Sequence, residues 1–190
     1  MNALSVLKQD HGNVETLFKR FEASDEADER REIVDHVIEQ LSVHAAIEEQ
    51  VFYPALRAEM EDAESDVLEA LEEHHLVKLS LVELEKLSAA SERFEAKVTV
   101  LIENVRHHVT EEEDELFPKV REVIPAHRLD ELGDALDQAK KTAPVRPHPF
   151  QPDVPPLNLV LGMPVALMDR AVTTAKDVAG QVLRRVRGSA

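Results

Sequence analysis

Two stretches of this sequence place an imidazole and a carboxylate one helical turn apart: His44-Ala-Ala-Ile-Glu48 and His108-Val-Thr-Glu-Glu112. Residues four apart share one face of a helix, so each pair could grip a single ion. Imidazole nitrogen with carboxylate oxygen suits iron, manganese or zinc rather than calcium or magnesium. Spacing alone decides nothing. Five of the nine histidines have an acid four residues on, and about two would by chance at this acid content. Repetition adds more. The two stretches match at an offset of 64, and each runs on to an aromatic followed by proline, VFYP at 51–54 and ELFP at 115–118. A second match, at an offset of 63, sets Asp10-His11 against Glu73-His74.

These residues need helices to position them. Glycine is scarce, and apolar residues recur at helical spacing, which reads as all-α. The pattern predicts helices over about 2–21, 26–60, 65–88 and 91–123, joined by short connections. The expected architecture is an up-down-up-down four-helix bundle. Pro54 and Pro118 fall inside the second and fourth patterns, where each should kink or break its helix. A short amphipathic segment follows at 127–141, completing a domain over 1–143. Six of the ten prolines lie in 144–156, an extended connector. Residues 157–190 read as an amphipathic tail helix, and the chain from 144 onward is net basic. Such a tail suits the protein's own bundle, a partner protein or a membrane surface.

Each predicted helix has an apolar seam with few intruders. The first reads 4, 7, 11, 14, 18, 21, and only His11 is polar. The second reads 34, 37, 41, 44, 48, 52, interrupted by His44 and Glu48. The third is interrupted by His74, and the fourth by His108 and Glu112. Four helices thus push one histidine each into a shared interior, and two add a glutamate. A buried carboxylate costs several kcal/mol unless paired or metal-bound. Lys and Arg are missing from the seams, so a metal is the natural counter-charge. Of the doublets, the seam favours His74 over His75 and His108 over His107. His75 and His107 are retained as alternative ligands or as rings that orient one. His36 and His127 read as surface residues, and His148 lies in the proline connector.

The net charge is −16. That argues against nucleic acid as a partner, since phosphates require Lys and Arg. Cysteine is absent, which removes disulfides, thiolate zinc sites and iron–sulfur clusters. No signal peptide and no transmembrane run is evident, so a cytoplasmic location is expected.

The lone His11, HAAIEEQVFYP at 44–54, EHH at 73–75 and HHVTEEEDELFP at 107–118 together resemble the hemerythrin-like (HHE cation-binding) family. The likeness covers roughly 1–125. RPHP at 146–149 and PPLNLVLG at 155–162 resemble tails on actinobacterial members. The resemblance implies two irons per chain, oxo- or hydroxo-bridged. It makes His11, His44, His74 and His108 terminal ligands, with Glu48 and Glu112 bridging. Oxygen-carrying members have a further histidine where this chain has Lys78, so water, His75 or Tyr53 could take that place. Reversible oxygen carriage is therefore not expected. The expected function is reaction with peroxide, O2 or nitric oxide in oxidative stress, as catalase-like peroxide decomposition or as redox or oxygen sensing. Iron storage or delivery and a non-catalytic metal-dependent interaction module are the alternatives.

Overall fold

The computed structural model describes residues 1–150 and Asp169. The expected tail helix, apart from Asp169, and residues 151–156 of the expected connector lie outside the described residues. Among the described residues all regular structure is helical. Helix α1 (Ala3–Ala23) starts at Asn2, whose side-chain oxygen accepts from the Ser5 amide at 2.9 Å beside the Asn2 carbonyl at 3.0 Å, capping the first turn. Helix α2 (Ala27–Ile47) passes through a π-helical turn (Glu48–Phe52) into α3 (Tyr53–Glu59). Helix α4 (Ala63–Lys86) returns, and Arg31 on α2 donates to the Leu84 and Leu87 carbonyls at its end. Helix α5 (Phe94–Glu111) likewise passes through a π-helical turn (Glu112–Leu116) into α6 (Phe117–Val123). Helix α7 (Ala126–Lys140) packs across α1 and the first π-helical turn.

The expected disruption at Pro54 and Pro118 takes a specific form. Each proline occupies an early position in the short helix that follows, where its missing N–H costs little. The hydrogen-bond ladder shifts one turn earlier. The Tyr53 amide bonds the Glu48 carbonyl five residues back, and the Phe117 amide bonds that of Glu112. Both π-helical turns therefore begin at the two seam glutamates.

Two apolar clusters fill the bundle. One gathers Leu4, Leu7, Phe52, Leu56, Phe117 and α7 residues such as Leu136. The other gathers Phe18, Phe21, Ile33, Leu81, Leu84 and Phe94. The seam histidines and glutamates fall between them, as a polar layer across the core. Helix α7 crosses close to the start of α1, and Gly133 permits it: a Cβ there would lie 1.9 Å from the Met1 carbonyl oxygen. No helix among the described residues is long and apolar enough to cross a membrane.

Candidate metal centre

The bundle brings His11, His44, Glu48, His74, His108 and Glu112 together, and none is more than 7% exposed. His11 Nε2 lies 3.2 Å from His44 Nε2 and 3.4 Å from Glu112 Oε2. His44 Nε2 is 3.1 Å from Glu48 Oε2. Across the layer, His74 Nε2 is 3.2 Å from His108 Nε2 and 3.3 Å from the same Glu48 oxygen. His108 Nε2 is 3.7 Å from Glu112 Oε2. The donors fall into two sets, His11, His44, Glu48 and Glu112 in one, and Glu48, His74 and His108 in the other. Glu48 belongs to both. Donors about 2.1 Å from one ion at near right angles stand ~3 Å apart, close to the shorter contacts here, while all donors of a set lie within 4.8 Å of one another.

All four imidazoles turn Nε2 inward, and acids lie beside their Nδ1 atoms. His11 Nδ1 meets Glu113 Oε1 at 2.8 Å, His74 Nδ1 meets Glu49 Oε1 at 3.1 Å, and His108 Nδ1 meets Glu73 Oε2 at 2.7 Å. Asp10 Oδ2 lies 3.6 Å from His44 Nδ1, beyond hydrogen-bond reach. An acid on Nδ1 fixes the tautomer that leaves the Nε2 lone pair free, the arrangement of metal-binding histidines. Lysines steady three of these acids. Lys8 reaches Glu113 at 2.7 Å, Lys78 reaches Glu49 at 2.7 Å, and Lys140 of α7 reaches Asp10 at 2.8 Å.

The electrostatics follow from burial. Burial pushes the His44 imidazole down to about 4 against the pull of Asp10, and it also lowers His74. Burial works downward on His108 too, but the Glu73 hydrogen bond and nearby carboxylates leave it raised. Burial, then the neighbouring Glu112 charge, drives Glu48 well above the usual carboxylate range. Glu112 resists the same burial because His11, His108 and His44 hold it down to about 2. Tyr53 is raised by burial and by Glu112 and Glu48, so it keeps its proton. Its hydroxyl donates to Glu112 Oε1 at 3.0 Å and lies 3.4 Å from His74 Nε2.

These residues fit a metal. Both Glu48 oxygens and Glu112 Oε2 are buried without a hydrogen-bond partner. Buried polar oxygens are almost always satisfied, and a multivalent cation is the partner these lack. Neither glutamate receives a lysine or arginine. Lys78 is buried, although no cation lies on a seam; it serves Glu49 rather than Glu48 or Glu112.

The remaining histidines lie elsewhere. His75 is half-buried with its ring centroid 6.4 Å from that of Phe150, and His107 is 65% exposed beside Glu111. His36 and His127 are exposed, and His148 pairs with Asp169 at 2.8 Å. Sequence reasoning missed Asp10, Glu49, Glu73 and Glu113. The signal was the repeat itself, which pairs Asp10 with Glu73 and Glu49 with Glu113.

A four-helix bundle with buried His/Glu sets defines a cation-binding helical protein. The hemerythrin HHE cation-binding domain model matches residues 2–120, and the chain belongs to that family. A solved structure of a hemerythrin HHE cation-binding domain-containing protein from Mycobacterium kansasii is 28% identical and superposes with a TM-score of 0.64, covering 74% of this chain and 86% of that one. An uncharacterized Mycobacterium tuberculosis protein is 30% identical over 138 residues, covering 72% of this chain and 83% of its own length. A Nostoc protein named as a DNA nickase is 28% identical over 140 residues. The match covers 74% of this chain but 39% of the Nostoc protein's length.

Proposed function

We propose that the polar layer holds two irons and that the protein decomposes hydrogen peroxide. His11, His44, His74 and His108 would be terminal ligands, with Glu48 and Glu112 between the ions. The observation that carries this reading is Glu48, wholly buried, shared by both donor sets and unpartnered at both oxygens. When bound, two adjacent irons supply two one-electron changes, matching the balanced reaction of two H2O2 to two H2O and one O2.

The chain's own residues prepare that site. Tyr53 fixes the orientation of Glu112 through its hydroxyl. The apolar clusters on either side exclude bulk water. A groove of about 520 Å³ between α1 and α5 reaches His11 and would admit a molecule as small as peroxide. Lys78 occupies the place of the histidine found in oxygen carriers and supports Glu49, which favours chemistry on peroxide over oxygen carriage.

Adding peroxide to the iron-loaded protein should evolve O2 at an oxygen electrode; an iron-loaded protein that evolves none removes the catalytic reading. The acids on Nδ1 make a separate prediction. Glu49→Gln and Glu113→Gln should each weaken metal affinity by roughly 10–100-fold, read by chelator competition. Unchanged affinity in both would show that these acids do not tune the ligands.

A further inference from the structure

The candidate centre approaches the surface on a second side. Between α4 and the second π-helical turn lies a mouth of about 70 Å³. Its rim carries Asp66, Glu69, Glu73, Glu111 and Glu115, and Lys119 is the one cation among its lining residues. Lys119 is tied to Asp66 at 2.7 Å and also feels the charge of Glu115, so one lysine stands against the whole acidic rim. His108 and Glu112 also line this mouth. Glu112 is 2% exposed, and its Oε2 has no hydrogen-bond partner. A negatively charged cleft thus leads to a buried, unsatisfied carboxylate oxygen.

Just outside, Glu73, His107 and Glu111 bring one ligand atom each within 4.8 Å of one another. His107 Nε2 stands 3.2 Å from Glu111 Oε1. Glu73 joins this outer trio to the interior, because its Oε2 accepts from His108 Nδ1 at 2.7 Å. The α1–α5 groove differs in character, since Lys8 and Arg106 stand among its lining residues. Field lines from a one-sign cleft raise the local concentration of the opposite ion and its rate of association.

We propose that the acidic mouth is the loading port for divalent cations, with Glu73, His107 and Glu111 as an outer holding site that passes the ion to His108 and Glu112. The inference rests on the interior being a metal centre. Metal-free full-length protein is mixed with Co(II) by stopped flow, and uptake is followed by the visible bands of the bound ion. The triple variant Glu69→Gln/Glu111→Gln/Glu115→Gln should take up Co(II) about tenfold more slowly at low ionic strength. The difference should shrink as salt rises, and the final occupancy of the interior centre should match wild type, while the weak outer Co(II) is lost with Glu111. Neutralising Glu26, Asp28 and Glu92 at the far end of the bundle should leave the rate unchanged. His107→Ala should abolish the weak extra Co(II) bound by the fully loaded protein. A triple variant with the wild-type rate, or equal slowing in the far-end control, overturns the port. Wild-type protein that binds no Co(II) at all overturns the interior site as well, so the two failures are distinguishable.

Discussion

Stripping metal from the loaded protein should lower its melting temperature by about 8–16 °C for each ion whose free concentration was 1,000-fold above its dissociation constant. A ligand that binds only the folded state at that excess contributes about 4 kcal/mol, and 1 kcal/mol moves the midpoint ~2–4 °C in a chain of this size. The structural reason is the polar layer. It interrupts the apolar core at one level, and Glu48 and Glu112 leave three buried oxygens without hydrogen bonds. Without a cation those oxygens oppose folding; with one they become its ligands. Calorimetry before and after chelation checks this. An unchanged midpoint would mean that the layer is satisfied without metal.

The second large effect is a change of sign. Glu48→Met should stabilise the metal-free protein by about 1–3 kcal/mol, the cost of a buried polar group left without hydrogen bonds, which the apolar side chain removes. The same substitution should remove most iron binding, since Glu48 belongs to both donor sets. Glu112→Met should behave differently. Glu112 accepts from Tyr53 and faces three histidines, so its removal strands a buried phenol and costs about 1–3 kcal/mol without metal. Urea unfolding of the two metal-free variants separates the cases. A metal-free Glu48→Met protein less stable than wild type would show that Glu48 has a structural role beyond holding a cation.

The six interior residues were legible because each is a polar intruder in an apolar stripe of period 3.6. A wrong residue in a regular pattern is a strong local signal. Glu49 and Glu113 were not legible in that way. They stand one position off the seam, where helical residues are often half-exposed, among 38 acids. Only comparison of the two halves marks them. Lys78 was hidden for the same reason, since it follows Val77 on the seam yet is buried against Glu49. The π-helical turns were announced only by Pro54 and Pro118. Their form depends on a bond to the residue five back, which side-chain periodicity does not encode. The segment at 127–141 was read as amphipathic with no task. Its link to the centre, Lys140 on Asp10, is a contact between residues 130 apart, and no local pattern carries it.

We propose four histidines and two glutamates as the ligands of a pair of irons. Iron per chain after anaerobic loading and removal of loose metal tests it most directly. About two are expected in the wild type, with clear losses in His44→Ala and Glu112→Ala. A wild-type protein that retains no iron, with stability undiminished by its absence, would contradict it.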